Sequence, residues 1–191
     1  SSVLVIDSTD HLCGILQKRL SQGVRSGNII WCEPASGFTR CDEGHFQFDP
    51  EDPDQFDRLL DELERNDSFP SHIIVASFDQ QHSDGHGVLH ATNASNADQM
   101  LFGLRAMFYL AAALERNGRG TRVIHLQAED LNLRTKVTAS ASAFSRSLQL
   151  LRGNLHWSSL ILDGDIELVD ACALLIAEMS QPPTANRCEV R

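Results

Sequence analysis

The sequence predicts an α/β domain with a mostly parallel sheet of about six strands and helices on both faces. Three observations predict it. Short apolar runs alternate with helix-spaced apolar patterns from one end of the chain to the other, an alternation that favours parallel strands joined by right-handed crossovers. The strand runs are apolar at consecutive positions, as in a sheet covered on both faces. No linker or internal repeat interrupts the alternation, and 191 residues suit one domain, residues 1–191, with a core of its own.

Val3 to Ile6 is the first buried strand, ending in the carboxylate of Asp7. Leu12, Ile15, Leu16 and Leu20 follow at helical spacing, with Asp10 as N-cap and Gly23 or Gly27 as terminator. Ile29 to Cys32 is a second strand, Pro34 to Gly44 is rich in turn formers, and Phe46-Gln47-Phe48 alternates as a third strand. Asp49-Pro50-Glu51-Asp52-Pro53 opens a helix, with acids near the positive end of its dipole and Phe56, Leu59, Leu60 and Leu63 as its apolar face. His72 to Ala76 is a fourth strand. Phe78 to Asn96 is polar and rich in Gly, His and Asn, and reads as the longest and most flexible loop.

Met100 to Leu114 forms a long apolar helix closed by Asn117-Gly118, and Arg122 to Leu126 a fifth strand. Val137 to Leu151 is a helix of small residues closed by Gly153, Trp157 to Leu162 a sixth strand, and Ile166 to Met179 a helix stopped by Pro182-Pro183. Arg187 to Val190 adds a short final strand. The order of elements is that of a truncated Rossmann-like fold.

Composition narrows the function classes. Hydrophobic residues make up 42% and charged residues 22%, as in ordinary globular domains. The net charge of −10, from 26 acidic and 16 basic side chains, repels phosphate backbones, and no Lys/Arg run offsets it. Nucleic-acid binding is not predicted. The five cysteines are odd in number and lack C-x-x-C spacing, so reduced thiols in a cytoplasmic protein are expected. No basic leader opens the chain and no run reaches the roughly 20 apolar residues of a membrane span. A strand almost at the first residue suggests an excised piece or the middle of a longer polypeptide.

Ligands of this fold sit at the carboxyl ends of the strands, first of all at the first strand-to-helix turn. A pyrophosphate there needs glycines so that backbone N–H groups can approach it. The turn reads Asp7-Ser8-Thr9-Asp10-His11-Leu12-Cys13-Gly14. Gly14 alone fits a glycine pattern, and Asp7 and Asp10 put negative charge where phosphate would lie. The sequence also lacks G-x-x-x-x-G-K-[ST] and G-x-S-x-G, which removes a P-loop and a hydrolase elbow. Gly85-His86-Gly87 continues as Val88-Leu89-His90 and is no fingerprint. Tyr109, the single tyrosine, lies in an apolar helix with Ala113 four residues on, where a reductase would need a lysine. His82, His86 and His90 recur every four residues, but Gly85 and Gly87 interrupt any helix that would gather them on a metal, so no metal site is expected. Glu129-Asp130 and the pair Asp163 and Asp165 follow strands, where turn and cap roles are commoner than acid–base work.

Several segments together resemble a known family. Phe46 to Pro53 followed by Phe56-Asp57-Arg58-Leu59-Leu60, Gly103 to Leu110 with Ala113-Leu114, Arg122 to Leu126, Ser140 to Leu151 followed by Trp157 to Asp163, and the tail Asn186 to Arg191 look like the structural subdomain of the ketoreductase region of modular polyketide synthases. That subdomain is a truncated relative of short-chain dehydrogenases that binds no cofactor and precedes a catalytic, NADPH-binding half. The likeness covers almost the whole chain and rests on the order and spacing of apolar and small residues. The catalytic motif does not carry over: Thr138 and Ser142 stand where a working reductase has Tyr and then Asn or Lys. Asp49 stands where active relatives place an adenine-contacting Asp.

The resemblance implies a non-catalytic scaffold, with no catalytic, cofactor or metal residues of its own. It implies contact with adjacent domains of the same synthase: a catalytic ketoreductase half, a dehydratase or a methyltransferase. The chain stops about where a catalytic half would begin. Two other readings stand beside it: a free-standing α/β enzyme using the 78–96 loop, and a small metal-binding or regulatory module. The helix from Met100 is apolar nearly all round, more than one sheet face requires, and the small-residue helix after it permits close approach. Met100, Leu104, Met107, Phe108 and Phe144 are therefore the candidate partner interface.

Overall fold

The computed structural model describes residues 2–7, 10–21, 28–77, 79–83, 86–90, 97–129, 143–144, 146–147, 155–163, 166–182 and 189–190. For residues 77, 79–83, 86–90, 97–103, 128–129, 163 and 189–190 it describes the backbone alone. The strands are β1 (Ser2–Ile6), β2 (Asn28–Pro34), β3 (Thr39–Arg40), β4 (His45–Phe48), β5 (Pro70–Ser77), β6 (Asp79–Ser83), β7 (His86–His90), β8 (Thr121–Glu129), β9 (Leu155–Asp163) and β10 (Glu189–Val190). The helices are α1 (His11–Ser21), α2 (Pro53–Arg65), α3 (Ala97–Asn117) and α4 (Leu168–Ser180). Residues 143, 144, 146 and 147 are also helical.

The main sheet runs β10-β9-β8-β5-β1-β2-β4-β3. Its strands pair parallel except for β3, which lies antiparallel along β4 at the edge. The expected Rossmann-like α/β class is therefore observed, with more strands than the six expected. The strand order reverses between β1 and β5, the place where open α/β sheets bind ligands.

Alternation along each strand divides the core in two. On one face Leu4, Ile6, Ile30, Cys32, Phe46, Phe48, Ile73, Val75, Val123 and Trp157 pack against α2 and α3. On the other Val3, Val5, Ile74, Ala76, Ile124, Leu126, Leu160 and Leu162 pack against α1 and α4. Helix α2 shows how local sequence fixes an element. Asp52 caps it by accepting from the Asp54 N–H at 3.0 Å, Pro53 occupies the first turn, and Phe56, Leu59, Leu60 and Leu63 form its buried stripe. Arg105–Glu51, Arg116–Asp57 and Arg119–Glu64 contacts, at 2.7, 2.5 and 2.7 Å, fringe the α2–α3 side. Their exposure makes each a small contribution. A buried pair, Arg122 with Glu178, fastens the end of α4 to the start of β8, and Arg122 also donates to the Gln181 carbonyl at 2.8 Å.

Two segments differ from the sequence reading. Pro34 to Gly44, rich in turn formers as read, also holds the short strand β3, and β2 and β4 are joined in parallel through residues 35–44 without a helix. Ile29, Trp31, Glu33, His45 and Gln47 consequently stand partly exposed on the α1 side. They pack laterally: Trp31 stacks on His45 at 4.1 Å, and Gln47 donates to Glu33 at 3.0 Å. The second difference is the polar stretch after β5, expected as an irregular loop. Residues 79–83 and 86–90 pair antiparallel from Asp79↔His90 to Ser83↔His86. Asp84-Gly85 between them is a strong two-residue hairpin signal that the polar composition obscured.

Candidate functional site

The carboxyl end of β1 is the position a nucleotide phosphate would occupy. The backbone there is already committed. The Asp7 N–H donates to the Cys32 carbonyl at 3.1 Å, and the Trp31 indole N–H donates to the Asp7 carbonyl at 3.1 Å. Asp7 is 2% exposed. Helix α1 starts at His11, and Gly14 belongs to its first turn, its N–H donating to the Asp10 carbonyl at 2.8 Å. A Cβ on Gly14 would meet nothing within 4 Å, and its φ is not in the left-handed region. The glycine is therefore not required for close approach or for conformation.

Cys13 lies beside this turn, and burial pushes its thiol well up, with the charges of Asp7 and Asp10 adding to the effect. Burial raises Cys32 far above its ordinary value and Cys172 to about 12. These thiols are protonated and unreactive at neutral pH. Asp49, at the adenine-contact position of active relatives, accepts from the Glu51 N–H at 2.9 Å, and its own N–H donates to Gln55 at 2.7 Å. It serves the entry to α2.

The remaining candidates are dispersed. Glu129 and Asp163 are register partners at the carboxyl ends of β8 and β9, a juxtaposition their sequence positions did not reveal. Asp130, Asp165, Thr138 and Ser142 lie outside the described residues. His82 stands opposite Gly87 and His86 opposite Ser83 in the hairpin, so the three histidines span two strands. The described residues hold no group of three potential metal ligands. Sequence reasoning missed a buried polar pair, His125 and Gln127 on β8. The Gln127 amide lies 2.9 Å from His125 Nδ1. Complete burial pulls the His125 pKa down to about 3. An isolated histidine within an apolar strand run was its only signal.

The expected interface residues separate into two sets. Met107 is fully buried in the α2–α3 core, which corrects its place on an outer face. An all-round apolar helix can lie deeper than one sheet contact, and α3 packs on both β5 and α2. Phe108 points the other way and is 58% exposed. Its ring lies 6.2 Å from that of Phe144 and 5.9 Å from that of Tyr109. Leu104 and Phe144 are partly buried against the same core. The Met100 side chain lies outside the described residues.

Among the described residues, no helix is long and apolar enough to cross a membrane. The fold is shared with an N-terminal ketoreductase from a macrolactin assembly line, at a TM-score of 0.78 and 15% identity, over 99% of this chain and 37% of that one. It is shared with an adenylation, ketoreductase and pseudo Asub multidomain structure of a keto acid-selecting NRPS module, at 0.76 and 15%, over 100% of this chain and 16% of that one. A Brucella ovis oxidoreductase of the short-chain dehydrogenase/reductase family, in complex with a partially ordered NAD, matches at 0.63 and 13%, over 100% and 99%. This chain thus spans about a third or less of the two assembly-line structures and nearly all of the oxidoreductase. No curated protein matches it in sequence. The family model described as beta-ketoacyl synthase-like, N-terminal matches residues 1–174, and the chain belongs to that family.

Proposed function

We propose that this chain is a non-catalytic scaffold subdomain of a ketoreductase or pseudo-ketoreductase region in a modular polyketide synthase. It binds no NADPH, holds no metal, and supports an adjoining domain of the same polypeptide. The observation that carries the reading is Phe108, a large ring 58% exposed on a helix whose inner side is core. A single exposed aromatic beside a second ring, Phe144, offers an anchor of the kind that dominates domain interfaces. The first turn, acid-bearing and with Gly14 as its single glycine, supports the absence of a cofactor. The two assembly-line proteins that share the fold support a place beside other domains, since this chain spans only part of each.

The test uses the natural polypeptide that carries this chain. Phe108→Glu should leave the chain's own unfolding within about 0.5 kcal/mol, as surface changes do. It should loosen the adjoining domain, so that proteolysis at the junction speeds up by roughly tenfold, equivalent to about 1.4 kcal/mol of lost contact. Met107→Glu provides the contrast, because a charge in the core should unfold the chain itself. Unchanged junction proteolysis in a folded Phe108→Glu protein would refute the docking face.

A further inference from the structure

The crevice at the carboxyl edge of a parallel sheet is where this fold takes its ligands, and in this chain a hairpin stands in the connection that leaves that edge. Strand β5 reaches the carboxyl edge at Ser77, in register with Gln127 of β8. Asp79 follows two residues later, and the chain pairs back on itself through His90. Helix α3 ends at Asn117, shortly before β8 begins at the amino edge, so its start at Ala97 lies toward the carboxyl edge. Both ends of the hairpin are thereby held at one edge. Strand β7 contacts β8 and α4. Helix α4 follows the carboxyl end of β9 and returns to the amino edge, where Glu178 meets Arg122.

We propose that the β6–β7 hairpin is a built-in strap that closes the carboxyl edge over β8 and the beginning of α4. The edge is then occupied by the chain itself, on the opposite side of β5 from the acid-bearing turn after β1. A two-stranded hairpin is marginal by itself, so its order depends on the edge it covers, and the edge in turn gains protection from it. This inference is independent of the docking role of Phe108, which lies on the other face of the sheet.

Amide hydrogen exchange on the folded chain reads the strap directly. In one variant residues 79–90 are replaced by a short glycine–serine connection. In a second, Val88→Pro and Leu89→Pro together break the β7 ladder without shortening the chain, since adjacent residues of an antiparallel strand alternate in hydrogen bonding. Both should raise exchange at Leu126, Gln127 and Ala128 of β8, and at Asp170 to Cys172 of α4, by roughly tenfold or more through easier local opening. Exchange at Val123 of β8 and Trp157 of β9, nearer the amino edge, should stay within about twofold. No change at the carboxyl edge would overturn the strap. An equal rise at both edges would also overturn it, because a strap across one edge does not hold the other.

Discussion

Asp7 and His125 are single residues with consequences for the whole sheet. The Asp7 N–H at the end of β1 is taken up by the Cys32 carbonyl of β2. His125 is a buried base that stays neutral, with its pKa drawn down to about 3 by complete burial. Unfolding exposes it to water, where its pKa returns to the ordinary value near 6.5. The unfolded state therefore binds the extra proton first, so stability is full above about pH 6.5 and falls as pH drops toward 3. The expected loss between pH 6.5 and 5 is about 2 kcal/mol from this residue. His125→Asn, which keeps an acceptor for Gln127, should flatten that part of a urea stability-versus-pH profile. An equally steep profile in the variant would contradict the assignment. The cysteines give a second residue-scale expectation. A maleimide at pH 8 should label exposed Cys41 in the folded protein, and Cys13, Cys32 and Cys172 only after denaturation. Rapid labelling of Cys13 in the native state would disagree with its burial beside the first turn.

Elements were legible where the chain carries its own punctuation. Helix α2 could be placed from Asp52, Pro53 and its leucines, and the cap is made as those residues require. Asp52→Ala should lower stability by about 1 kcal/mol, and Asp52→Asn by much less. Equal losses in both, measured by chemical denaturation, would mean that the Asp54 N–H bond is not what matters. The elements that escaped the sequence lack such agreement between composition and pattern. The hairpin is too polar to look like strand, although the sequence Asp84-Gly85 is a hairpin signal. Strand β3 is two residues long, and only pairing with β4 defines it. The connection before β4 carries no helix, and on the partly exposed face it leaves, Trp31 stacks on His45 and Gln47 donates to Glu33. Met107 and Phe108 are adjacent in an apolar run, and only packing on α2 separates core from surface. Paired Glu129 and Asp163 required the register of two strands distant in sequence.

Across the whole chain, the architecture is a Rossmann-like parallel sheet covered on both faces, and its first strand-to-helix turn carries Asp7 and Asp10 where a dinucleotide-binding sequence would place glycines. The α/β class and the two-sided core follow from apolar periodicity and were readable from sequence, whereas the order of strands in the sheet needed the structure. Which part of α3 remains uncovered was not readable either. The proposed scaffold role requires that the folded chain hold no dinucleotide, and titration calorimetry with NADPH measures this. No saturable heat is expected up to millimolar cofactor, a binding free energy weaker than about −4 kcal/mol. Saturable one-to-one binding at micromolar concentration, about −8 kcal/mol, would contradict it.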